Sequence, residues 1–136
     1  MNLQRYLTVF LSVITTIPMY FLSRIFLKKE MAIIAASILL FNPRIIENSV
    51  LGITEPLYIL TFVTMLYLFL KYMKNLPFIA FSLIGIMSMI RYEGFLTIIP
   101  ITIIYFYKVR FSKKSLSLFF ISIMIFLFII LTWGQM

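Results

Sequence analysis

LPFIAFSLIGIMSMIRYEGFLTIIPITIIYFY, residues 76–107, decides how many times this chain crosses a membrane. A helix rises about 1.5 Å per residue and about 20 apolar residues cross a hydrocarbon core, so the stretch is too long for one comfortable span and short for two full ones with a loop. Charge resolves the choice. As a single span it would send Lys108, Arg110, Lys113 and Lys114 to the side opposite the other basic loops. As two short spans, 77–90 and 95–107, it keeps the basic loops together and leaves Arg91-Tyr92-Glu93-Gly94 as a tight turn drawn into the membrane interface.

Upstream, Thr54-Glu55-Pro56 reads as a helix start, with Thr54 as N-cap and an acid and a proline in the first turn. The span it opens, 56–70, stops at Lys71 and Lys74. Before it lies a polar stretch, and before that a span over 31–46 interrupted by Asn42-Pro43, since the residue preceding a proline disfavours helix. The first span, 6–27, contains Pro18, where a kink is expected, and is closed by Arg24, Lys28 and Lys29. Downstream, 115–133 is a sixth, uncharged span.

The basic residues then fall unevenly. Nine of the twelve (Arg24, Lys28, Lys29, Lys71, Lys74, Lys108, Arg110, Lys113 and Lys114) share one side, and Arg5, Arg44 and Arg91 share the other. The positive-inside rule places the larger group in the cytoplasm. The expected fold is an all-α, polytopic helical membrane protein in the cell membrane: one membrane domain over 1–136, about six transmembrane helices, both termini outside. Tyr6 and Trp133 at the outer boundary and Tyr72, Tyr105 and Tyr107 at the inner one suit aromatic belts.

Composition agrees with that class. Over 136 residues, 63% are hydrophobic and 12% charged, and the mean hydropathy is +1.11. A net charge of +8 distributed in small groups between apolar runs is a topology signal rather than a nucleic-acid surface. There is no cysteine or histidine, which removes disulfides, thiolate or imidazole metal sites, and Ser-His or Cys-His catalysis. Proton transfer is left to carboxylates and tyrosines.

Carboxylates are scarce: Glu30 follows two lysines, while Glu47, Glu55 and Glu93 lie in the two polar stretches of the outer side. Ionisable residues this near a bilayer are functional suspects, because burying them unpaired is costly. Arg44 and Arg91 can grip a phosphate or pyrophosphate, and Glu47, Glu55 and Glu93 can hold a divalent cation or accept a proton from an attacking hydroxyl. The same five residues also allow a purely structural account. In it Arg44 pairs with Glu47 or Glu55, Arg91 pairs with Glu93, and Glu55 favours a helix N-terminus. Ser82, Gly85 and Ser88, at three-residue spacing, suit close helix packing better than a pore.

The string FNPRIIENSVLGITEPLYILTFVTMLYLFLKY (41–72), followed by IRYEGFLTIIP (90–100), resembles the GT-C superfamily of multispan glycosyltransferases. It looks closest to archaeal members and to the mannosyltransferases that build GPI anchors. The matching features are Asn42-Pro43, Ser49, Thr54-Glu55 and the Arg91 to Gly94 turn, in that order. The resemblance implies a membrane enzyme transferring a hexose, mannose in those members, from a polyprenyl- or dolichyl-phosphate sugar on the external face. It places the principal catalytic acid in a first outer loop outside this chain and implies Glu55 and Glu47 as the candidate catalytic residues here, Glu55 matching an acidic position with an ancillary role in metal or acceptor binding. Arg44, Arg91 and Glu93 are the expected substrate-binding residues, and Glu47 and Arg91 match more loosely than Glu55. Set against GT-C enzymes, the chain starts at their second span. The expectation is therefore a segment without the first span and the first outer loop, inactive alone and dependent on a partner chain for them. A non-catalytic membrane subunit or transporter-like protein is the competing class. It would need a polar path, and the span interiors hold no charge.

Overall fold

A computed structural model of the chain describes residues 2–51, 54–109 and 113–133. Among them the fold is all-helical. The order is α1 (Asn2–Phe26), α2 (Lys29–Leu40), α3 (Pro43–Leu51), α4 (Glu55–Tyr72), α5 (Pro77–Ile90), a 3-10 helix (Tyr92–Thr97), α6 (Ile98–Lys108) and α7 (Lys113–Trp133). Arg110 and the side chains of Lys113, Lys114 and Trp133, used above for charge and aromatic belts, lie outside the described residues.

Among the described residues two helices are long and apolar enough to cross a membrane, over Leu3–Phe26 and Ser115–Thr132, and Pro77–Ile90 is a shorter apolar helix. Only 11% and 17% of the two long windows is buried. The core helix of a soluble protein would be mostly covered, whereas α7 exposes Phe120, Met124, Phe128 and Leu131. That row suits hydrocarbon. Flanking charge limits α4, which begins at Glu55 and carries Lys71 in its last turn.

The chain forms two compact units, Met1–Tyr67 and Leu68–Met136. In the first, α1 runs through Pro18 without interruption and packs with α2 and α3. Ala32 and Ala36, one turn apart, are the buried residues of α2, small enough for close helix approach. Glu30 sits in the first turn of α2, where the helix dipole favours an acid. The apolar run expected to continue from 31 to 46 ends earlier, at Leu40. A new helix starts at Pro43, so the polar stretch that reads as a connection is α3. Pro43 causes this: it cannot donate a backbone hydrogen bond to α2, and its fixed φ suits the first turn of a new helix.

In the second unit, α5 packs against α7 and against the 3-10 helix, which also touches α6. Phe119 gathers the aromatic core, its ring centroid 5.7 Å from Phe81, 5.9 Å from Tyr105 and 4.7 Å from Phe106. The buried Tyr105 hydroxyl donates to the Ser115 carbonyl at 3.0 Å. Gly85 lies where an added methyl would come within 3.1 Å of Ile129, so the small residue at this place allows α5 and α7 to approach.

Candidate functional site

The first unit builds its polar region on α3. Asn42 begins it: its Oδ1 accepts the Arg44 N–H at 3.1 Å and its carbonyl accepts from the Ile46 N–H, also at 3.1 Å. This is an N-cap followed by proline at the first helical position. From there, spacings of three and four place Arg44, Glu47 and Asn48 on one face, with Ile45 and Ser49 on another. Arg44 and Glu47 are exposed, and among the described residues neither makes an ion pair.

The other face anchors the helix. Ser49 is buried, its hydroxyl hydrogen-bonds the Ser12 hydroxyl of α1, and it donates to the Ile45 carbonyl at 2.6 Å. The Thr8 hydroxyl, also on α1, donates to the Ser49 carbonyl at 2.6 Å. Buried hydroxyls paired in this way hold α3 on α1 in one register, because leaving any of them unpaired costs its desolvation. The polar face is thereby fixed as well. From it the Asn48 amide donates to Oε2 of Glu55, the half-buried first residue of α4. The bond ties the start of α4 to the polar face of α3. Thr54 supplies the first acceptor of α4, its carbonyl taking the Tyr58 N–H at 3.1 Å.

The Arg91 to Gly94 turn lies in the second unit and is built from main chain. Arg91 is extended, with its N–H bonded to the Met87 carbonyl at 2.9 Å, and the Gly94 N–H returns to the Arg91 carbonyl at 2.9 Å. Gly94 presses on the last turn of α5: a Cβ there would lie 2.7 Å from the Met87 carbonyl carbon and 2.8 Å from the Ser88 nitrogen. Only glycine fits. Thr97 closes the segment by donating to the Gly94 carbonyl at 2.6 Å. The Arg91 guanidinium meets Glu93 at 3.2 Å, as the structural account anticipates, with both side chains partly exposed.

Of the five site residues expected from sequence, Arg44, Glu47 and Glu55 therefore belong to one unit, and Arg91 and Glu93 to the other. Asn48 was missed, although its spacing of four from Arg44 marks it as a member of the same helix face. Among the described residues, no group of three or more acidic, histidine or cysteine side chains could hold a metal ion.

Residues 4–133 match the sequence model of the dolichyl-phosphate-mannose-protein mannosyltransferase family. The chain belongs to that family. No curated protein and no solved structure matches it. As a mannosyltransferase of the GT-C type, the chain is of the class that the Asn42-Pro43, Thr54-Glu55 and Arg91-Gly94 motifs resemble. Mannosyltransferases of this family are membrane-embedded, in keeping with the two apolar helices. The match takes in every candidate site residue and, apart from the first two residues of α1, all of the described α-helices.

Proposed function

We propose that this chain crosses the cell membrane six times, over about 6–27, 31–46, 56–70, 77–90, 95–107 and 115–133, as one membrane domain with both termini outside. The second crossing takes in α2 and the first turn of α3, whose remaining residues belong to the outer polar region. In this reading the chain serves transfer of mannose, or another hexose, from a polyprenyl- or dolichyl-phosphate carrier at the external face. Membership of a glycosyltransferase family supports this over a non-catalytic subunit.

The chemistry is a displacement at the anomeric carbon. An acceptor hydroxyl oxygen attacks, the bond from that carbon to the phosphate oxygen breaks, and the lipid phosphate leaves with the electron pair. The proton of the hydroxyl passes to a carboxylate, for which Glu55 is the first choice and Glu47 the second. Arg44 grips the donor phosphate as a charge-assisted, bidentate donor, and Arg91, oriented by Glu93, is the second candidate for that role. The observation that carries the reading is the hydrogen bond from Asn48 to Glu55. It holds the Glu55 carboxylate beside the face bearing Arg44 and Glu47.

The test is donor retention. The full chain in lipid nanodiscs, incubated with radiolabelled polyprenyl-phosphate mannose and washed, is expected to keep the donor. Retention no greater than in empty nanodiscs would remove the function proposed.

A further inference from the structure

The first unit holds a second feature that the reading above does not use. Between the start of α1 and the end of α3 lies an open cleft of about 350 Å³, lined by Arg5, Tyr6, Val9 and Val50. Its position is set by the hydroxyl pairs that bind α3 to α1, since Thr8 follows Arg5 and Tyr6 in the same turns and Ser49 immediately precedes Val50. Val50 in turn stands three residues beyond Glu47, one turn along the edge of the polar face. The cleft therefore borders the polar face of α3.

Its chemistry is divided. Arg5 is exposed, and among the described residues its guanidinium has no carboxylate partner, while Val9 and Val50 supply apolar walls. Tyr6, 75% exposed, is amphipathic and stands between the two. The helix carrying three of the four lining residues is one of the two long enough to cross a membrane, and Leu3, Leu7 and Phe10 beside them are exposed. A free phosphate would satisfy Arg5 and gain nothing from the valines. A ligand with an anionic head and a hydrocarbon chain uses both, and charge complementarity selects which end lies at Arg5.

We propose that this cleft seats the phosphate end of a polyprenyl phosphate, with Arg5 gripping the phosphate and Tyr6, Val9 and Val50 packing on the first isoprene unit. The inference rests on the lipid-phosphate reading above and adds to it a place and a third arginine. It differs from a topological role for Arg5, which would need a positive charge but no cleft.

Photo-crosslinking separates these. The full chain in nanodiscs is irradiated with a polyprenyl monophosphate carrying a diazirine on its first isoprene unit, and adducts are mapped by peptide mass spectrometry. Adducts are expected on Tyr6, Val9 or Val50. Arg5→Gln, which removes the charge, and Val50→Trp, which fills the cleft and keeps the charge, should each lower their yield roughly tenfold. Unlabelled polyprenyl phosphate should compete, and phosphatidic acid should not. Adducts confined to other helices, or unchanged yields in both variants while the lipid is still retained, would overturn the cleft and leave the donor reading standing. Equal competition by phosphatidic acid would make the cleft a general anionic-lipid surface and overturn the specific claim. If the unmodified chain retains no polyprenyl phosphate, both readings fall.

Discussion

Arg44 and Glu47 stand three residues apart on α3, both exposed and, among the described residues, without an ion pair. Arg91 and Glu93 stand two residues apart and meet at 3.2 Å. The two regions also differ in what holds them. Side chains hold α3, through Ser49, Ser12 and Thr8, so its polar face projects charges that remain available. Main chain holds the Arg91 turn, where Gly94 lies against the backbone of Met87 and Ser88 and the charges largely satisfy one another. An arginine near a glutamate in sequence thus has two meanings, and the backbone between them decides which applies.

The largest expected effect strikes the main-chain region. Gly94→Ala must push apart two backbone segments, neither of which can rotate away, and should cost about 1–3 kcal/mol, seen as a lowered midpoint of thermal unfolding in detergent. Gly85→Ala is its control: the added methyl meets only the Ile129 side chain, which can yield, so the loss should be smaller. Equal losses would contradict the distinction between backbone and side-chain contacts.

On the other side of the comparison, Ser49→Ala removes one hydroxyl from the cluster binding α3 to α1 and should cost about 1 kcal/mol. Asn42→Ala, which deletes the N-cap of the same helix, should cost about as much. Either variant should also speed amide exchange along α3, and exchange unchanged in both would show that the helix is held by something else. The smallest effect belongs to Glu93→Gln. A partly exposed ion pair contributes about 0–1 kcal/mol, so unfolding should hardly move, and a larger loss would mean that the pair and not Gly94 maintains the turn.

Much of this was legible in the residues. Thr54-Glu55-Pro56 announces a helix start through capping and proline chemistry, and α4 begins there, while Asn42-Pro43 announces the break that ends α2. Arg91 to Gly94 marks the end of α5 and the turn beyond it. The body of α3 was harder, because Pro43 signals the end of an apolar run as strongly as it signals a new beginning. Nine residues also hold too few turns for periodicity to speak clearly. The hydrogen bond between Asn48 and Glu55 could not be read at all, since it depends on how two helices meet. The same is true of Gly94: its presence says that a turn is permitted, while the backbone it touches belongs to a segment packed by tertiary contacts.

The central claim is that these arginines serve a lipid-linked phosphate, and retention of radiolabelled polyprenyl-phosphate mannose by the full chain carrying Arg44→Gln and Arg91→Gln together tests it most directly. Loss of the charge-assisted grip, whichever of the two arginines supplies it, should weaken retention by at least about tenfold relative to the unmodified chain. Retention equal to that of the unmodified chain would contradict it.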